Sequence, residues 1–399
     1  MKQAILDTLG SWLPDMTDIR RSIHAWPELA FQEVRTADTV ARLLESWGIE
    51  TQRGLGETGV VGRIAGARAG RSIGLRADMD ALPMPEANTF PHASRNPGVM
   101  HACGHDGHTT MLLAAARYLA QHRDFPGTVQ VIFQPAEEGG GGARRMIEDG
   151  LFDQFPMDAV FGMHNWPGLP VGTFGLTEGP IMASSNRFQI TLQGRGAHGA
   201  MPHLGVDPVV AAAQLTLAFQ TILTRDQDPL DAGVISVTQI HAGSADNVIP
   251  DQAVLRGTVR TLSTPVLDLI ESRMRDLTQH LAAALRCTAD FHFSREYPAT
   301  VNHPAETALC TQVLNELVGA DHVRAAVRPS MGAEDFAFML QARPGCYIWI
   351  GNGDGDHRGS GHGLGPCTLH NGSYDFNDEL IPLGAAYWVL LAQRYLSAA

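Results

Sequence analysis

Three segments in the first half of the chain share one pattern, a short apolar run that ends in chemically active residues. They are "RSIGLRADMDALP" (71–83), "TVQVIFQPAEEGGGG" (128–142) and "MDAVFGMHNWP" (157–167). Short apolar, β-branched or aromatic runs of this kind read as buried strands. Helical spacing precedes and separates them, in "TADTVARLLESWGI" (36–49), with Gly48 as its C-cap, and in "TTMLLAAARYLAQH" (109–122). Strands alternating with helices imply an α/β sheet, in which function collects at the carboxyl ends of the strands. The acids and histidines fall where that rule puts them.

Between 184 and 296 the pattern changes. Strand, helix, strand, strand, helix and strand follow in turn through "NRFQITLQGRGAH", "DPVVAAAQLTLAFQTIL", "AGVISVTQIHAG", "QAVLRGTVRTL", "PVLDLIESRMRDLTQHLAAAL" and "TADFHFSREYP". This βαββαβ order is that of a ferredoxin-like α+β unit able to fold by itself. The fold class expected is therefore two-domain α/β. Residues 1–183 and 297–399 are expected to form an αβα-type domain with a mixed central sheet, and 184–296 an inserted domain. A chain of 399 residues exceeds the usual reach of one core, which agrees with this division.

Composition excludes several functions. With 44% hydrophobic and 18% charged residues the chain has ample core material. A formal charge of -13 without a lysine-rich or arginine-rich run leaves no surface for a phosphate backbone, so no nucleic-acid partner is expected. No stretch could span a bilayer uncharged, and the opening segment lacks a signal-peptide pattern. No membrane partner and a cytoplasmic location are the expectation. The five cysteines are scattered without a CxxC pair, which argues against a disulfide framework.

"GVMHACGHDGHTTM" (98–111) concentrates His101, Cys103, His105, Asp106 and His108. Thiolate, imidazole and carboxylate together suit zinc or a similar borderline divalent ion. The step of two among His101, Cys103 and His105 points them one way in an extended loop; a helix starting near Thr109 leaves them in that loop. Glu137 and Glu138 end an apolar run, and adjacent carboxylates repel unless a cation or proton sits between them. One can ligate metal while its neighbour takes a proton from metal-bound water. His164 and His370 have similar settings, so Cys103, His105, Glu138, His164 and His370 could together hold two metal ions. Asp78 and Asp80 are candidate acceptors that orient imidazole ligands. His101, Asp106 and His108 are read as supports for the loop.

These segments, with "RRSIHAWPELAFQE", "GRGAHGAMPHLGVDP", "NVIPDQAVLRGTVR", "SMGAEDFAFM" and "LHNGSYDFND", resemble the metal-dependent amidohydrolases over nearly the whole chain. That family includes hippurate hydrolase, bacterial aminoacylases and plant indole-acetyl-amino acid hydrolases. The resemblance implies two divalent metal ions, with Cys103 bridging them and His105, Glu138, His164 and His370 completing the ligands. It implies Glu137 as general base and His198 as the donor to the oxyanion, reaching across from a partner subunit. It implies Asn247 and Arg260 as holders of the substrate carboxylate, with Arg256 as the rival arginine, separated from Arg260 by strand alternation. The inserted domain becomes a lid and dimerisation surface, giving a homodimer or higher homo-oligomer. The expected reaction is hydrolysis of an N-acyl or N-aroyl amino acid to a carboxylic acid and an amino acid. A dipeptidase or an N-acetyl-diaminopimelate-type deacetylase is the near alternative, and a silent metal-binding protein the distant one. A thiolate leans toward zinc, while manganese, cobalt and nickel stay open.

Overall fold

The computed structural model describes residues 2–397. They divide into two compact units. One comprises the chain up to Ile181 with Val301–Arg328 and the segment from Asp335 onward; the other comprises Met182–Thr300 and Pro329–Glu334.

The first unit is built on an eight-stranded mixed sheet. Its strands are β1 (Glu50–Leu55), β2 (Gly59–Ala65), β3 (Arg68–Asp78), β4 (Pro126–Gln134), β5 (Ala159–Pro167) and β6 (Phe174–Gly175), followed by Val323–Arg324 and Gly345–Gly353. The order is β1-β2-β4-β3-β5, then Gly345–Gly353, β6 and Val323–Arg324. The central four strands, β4, β3, β5 and Gly345–Gly353, run parallel, while β1 and β2 pair antiparallel at one side. Residues 129–134 of β4 and 159–165 of β5 are buried on both faces, which explains why these runs lack a polar alternation. Chain order reverses around β3, since β4 lies on one side of it and the later β5 on the other. Such a reversal opens a crevice at the carboxyl ends of the strands.

Helices form where the apolar spacing places them. Val34–Ser46 ends at Gly48, whose φ of 71° is left-handed, and the Ile49 N–H closes the turn on the Leu44 carbonyl at 3.1 Å. The helices His105–Gln121 and Leu380–Ser397 are buried on nearly all sides because both lie inside the core. At Gly384 a Cβ would come within 2.1 Å of Met111 Sδ, so only glycine permits their close approach. No helix among the described residues is long and apolar enough to cross a membrane.

The second unit carries a four-stranded antiparallel sheet ordered Gly233–Ala242, Gln252–Thr261, Ser185–Gln193, Thr288–Tyr297. Two helices, Pro208–Thr221 and Thr264–Ala284, cover one face through Leu215, Phe219, Ile270 and Met274 against Phe188, Ile190 and Leu255. Asp207 caps the first of them by accepting the Val209 N–H at 2.8 Å. The other sheet face carries Arg187, Gln189, Arg256, Arg260 and His292 around a cavity of about 660 Å³.

Candidate metal centre

The crevice at the ends of β3, β4 and β5 gathers chemical side chains from five segments. Cys103, His105 and His164 have donor atoms within 4.8 Å of one another, and Cys103, Glu138 and His370 form a second such group. Cys103 belongs to both. Its Sγ lies 3.3 Å from His164 Nε2, and His370 Nε2 lies 3.1 Å from Glu138 Oε1. Glu137 is buried beside them, grouped with His105 and Glu138, and its Oε1 accepts the Asp335 N–H at 3.4 Å.

One expectation needs correction. The helix begins at His105 and not near Thr109, because Gly104 at φ 88° turns the chain directly into it. His101 and Cys103 therefore lie in the loop, whereas His105 is the first helical residue. The step of two does not hold the three together. His101 turns away, its ring centroid 6.2 Å from that of His24, outside the donor groups around Cys103. A side chain at Gly104 would meet Asn165 Nδ2 at 2.2 Å and Tyr374 Oη at 2.5 Å.

Supporting residues fix which atom of each ligand faces inward. His164 Nδ1 donates to the Asn165 carbonyl at 2.6 Å, which turns Nε2 toward Cys103 with its lone pair open. Asp80 does the same for His105: its Oδ1 receives Nδ1 at 3.2 Å, and its Oδ2 accepts the Glu138 N–H at 2.9 Å. Asp78 serves the support His108 instead, at 2.6 Å, and His108 Nε2 accepts the Asn165 N–H at 2.9 Å. Asn165 Nδ2 then donates to the Cys103 carbonyl at 2.7 Å, and Tyr374 Oη donates to Asn165 Oδ1 at 2.7 Å. Behind them lies Arg76, wholly buried, spanning Gln134 (2.8 Å), Asp78 (2.8 Å) and Asp335 (3.2 Å). None of Arg76, Asn165, Tyr374 or Asp335 was identified as functional from the sequence. A lone arginine inside the apolar run "SIGLRAD" was the available signal, since a buried charge needs partners.

The donor set fits a divalent cation. His105 Nε2 is buried without a hydrogen-bond partner, an arrangement that costs free energy unless something else coordinates it. Burial would lower the pKa of His105, yet Asp78, Asp80 and Glu138 hold it up to about 10, so the pocket favours positive charge. The Cys103 thiol is pushed well up by burial and by Glu138, Glu137 and Asp78, and it needs a nearby cation to ionise.

Beside the centre, Trp166 stacks on Trp349 with 3.9 Å between ring centroids, and its ring lies 6.2 Å from that of His164. These two tryptophans, with Leu169 and Val327, line a cavity of about 530 Å³.

His198, Asn247 and Arg260 lie in the second unit. Residues 197–198 pair with 248–249, and the Gly199 N–H donates to the Asn247 carbonyl at 2.7 Å, so His198 and Asn247 sit on one exposed ribbon. His198 Nδ1 accepts the Ala200 N–H at 3.0 Å, which leaves Nε2 as the ring donor. Arg260 is elsewhere, on the open sheet face. Strand alternation does not separate it from Arg256, because residues four apart in a strand share a face. Their surroundings differ: Arg256 is exposed and donates to Gln189 at 2.9 Å, whereas Arg260 is half-buried, and burial lowers its pKa.

Residues 74–394 match the family described as Peptidase family M20/M25/M40. The chain is 41% identical over 392 residues to a hippurate hydrolase of Campylobacter jejuni, covering 98% of each protein. It is 42% identical over 340 residues to an N-acetyl-L-cysteine deacetylase of Bacillus subtilis, covering 85% of this chain and 80% of that one. Among solved structures it resembles a dinuclear metal binding peptidase of the M20 family from Bacillus subtilis. The TM-score is 0.84 at 34% identity, over 98% of this chain and 100% of that one.

Proposed function

We propose that this chain, which belongs to the peptidase family M20/M25/M40 and is a metal-dependent amidohydrolase, cleaves the amide bond of N-acyl amino acids with two divalent ions bound. The observation that carries this reading is the pair of donor groups that share Cys103, with the carboxylate of Glu137 beside them. Cys103, His105, His164, Glu138 and His370 would hold the ions, with Cys103 common to the two donor groups. Bound there, the ions, zinc by preference for a thiolate, would supply Lewis-acid chemistry that polarises a carbonyl and makes a water more acidic.

Glu137 takes the proton of that water and hands it to the departing amine. His198, as an Nε2 donor, stabilises the oxyanion, reaching across from a partner subunit in a homodimer joined through the second unit. The carboxylate of the amino acid suits the bidentate fork of arginine, a role for Arg260; Asn247, on the ribbon of His198 and away from Arg260, is the second candidate to hold it. The cavity walled by Trp166 and Trp349 takes the acyl group and favours a flat aromatic one, as in hippurate. An N-acetyl group would leave that wall unused, which sets the deacetylase reading second.

Metal analysis coupled to hydrolysis of hippurate, N-acetyl amino acids and dipeptides tests the reading. Hippurate should be the best substrate, and Glu137→Gln should lower kcat by about 10²–10⁴ with both metals retained. Full metal content with no hydrolysis across the panel would point to a silent binding protein instead. Undiminished turnover by the glutamine variant would remove Glu137 from the reaction.

A further inference from the structure

Glu33 is wholly buried at the start of the helix Val34–Ser46, yet it does not cap that helix. Glu28 does so, accepting the Arg35 and Thr36 N–H groups at 2.9 Å each. The Glu33 carboxylate is directed elsewhere. Its Oε2 accepts the Thr58 hydroxyl at 2.5 Å, and its Oε1 accepts the backbone N–H of Ala136 at 2.9 Å. Ala136 is a non-glycine residue at φ 54°, immediately before Glu137 and Glu138. Its carbonyl accepts the Gly142 N–H at 3.1 Å, so the peptide is held at both ends. A left-handed alanine is strained and persists only where its surroundings over-determine it. Without Glu33 the Ala136 N–H would be a buried donor with no acceptor.

We propose that Glu33 is a positioning residue for hydrolysis: by holding the Ala136 N–H it fixes the left-handed turn that aims Glu137 and Glu138 into the metal centre. A carboxylate is an expensive group to bury for structure alone. Burial and the nearby Asp80 charge hold Glu33 up to about 7 against the Thr58 hydrogen bond, and neither hydrogen-bond partner is a cation. An apolar side chain would fill the same space at lower cost, so the acceptor oxygen is what the site uses.

This inference rests on the hydrolytic reading above, and its test includes a measurement that does not depend on turnover. Glu33→Met keeps the volume and removes the acceptor; Glu33→Gln keeps an acceptor without the charge. With the preferred substrate, the Met variant should lose kcat by about 10–100-fold with KM within about threefold. Zinc affinity, by competition with a chromophoric chelator, should weaken about tenfold at the site that includes Glu138. The Gln variant should restore both to within about threefold of wild type. If the Met variant does not fold, Glu33→Asp, which withdraws the carboxylate by one methylene, replaces it and should show the same two losses. Wild-type kcat and zinc affinity in the Met or Asp variant, or a loss that Gln fails to restore, would overturn the proposal. If the wild-type enzyme binds zinc but hydrolyses nothing, the functional reading fails alone, and the zinc titrations still decide the role of Glu33.

Discussion

Asp80→Asn should damage the metal centre more than its size implies. One carboxylate oxygen meets His105 Nδ1 at 3.2 Å and the other accepts the Glu138 N–H at 2.9 Å. Both oxygens act as acceptors, so a carboxamide cannot satisfy both. If its NH₂ faces Glu138, two donors oppose each other. If it faces His105, the imidazole must accept at Nδ1, which puts the proton on Nε2 and closes the atom that would bind metal. Loss of one charge-assisted hydrogen bond costs about 1.5–3 kcal/mol. At about 1.4 kcal/mol per decade, that is about 10–100-fold in zinc affinity. Chelator competition and kcat/KM for the preferred substrate measure it. Asp80→Ala admits a water that can accept from both partners and should lose less. An Asn variant that binds zinc and turns over within about threefold of wild type would refute the argument.

Three further outcomes follow from the geometry. Chelation should abolish activity and added zinc restore it, with zinc affinity rising by up to about tenfold per pH unit per proton displaced, because binding must ionise the Cys103 thiol that burial and neighbouring carboxylates hold protonated; equal affinity at pH 6 and pH 8 would contradict this. Gly104→Ala should destabilise the fold by about 2 kcal/mol or more in denaturant unfolding, since a left-handed backbone and the contacts with Asn165 and Tyr374 both resist a methyl group; wild-type stability would remove the close approach from the argument. The third outcome concerns the buried cluster of Arg20, His24, Asp106 and Asp375, which makes stability depend on pH at both ends.

For that cluster, burial alone would lower His24 and raise the two aspartates. The charges reverse this: Asp106 holds His24 up to about 10, His24 pulls Asp106 down, and Arg20 pulls Asp375 down. The contribution of His24 is fully present below its ordinary value of 6.5 and is lost as pH rises toward 10. Those of Asp106 and Asp375 are present above the ordinary value of 3.8 and are lost as pH falls below it. The Tm of the metal-free protein should therefore be highest between about pH 4 and 6.5, and His24→Phe should flatten its alkaline decline. An unchanged alkaline limb in that variant would refute the assignment.

Much of this was legible because the chemistry sits at strand ends. Glu137, Glu138 and His164 each follow an apolar run, and a parallel sheet brings such ends together irrespective of their separation in sequence. The strands and helices of the second unit follow from hydrophobic periodicity in the same way, whereas β1 and β2, whose antiparallel pairing makes the first sheet mixed, were not marked by it. What periodicity does not carry is the direction of a loop. Gly104 moves the helix start to His105 through one backbone angle, and His101 leaves the cluster as a consequence. Nor does it report long-range acceptors: Glu33 lies in "RRSIHAWPELAFQE", 103 residues before the N–H that it holds. Arg256 and Arg260 show the converse, since alternation could not rank two residues on one face and their burial does.

The sheet of the second unit begins and ends on neighbouring strands, with Tyr297 in register against Ser185. The segment Met182–Thr300 thus enters and leaves that sheet one strand spacing apart, about 5 Å, and Pro329–Glu334 joins the unit from further along the chain. An insertion with that anatomy asks its host for no more room than a hairpin turn would occupy. The strands that lead to Glu137, Glu138 and His164 all precede it in the chain, so a change of length inside Met182–Thr300 leaves their register alone.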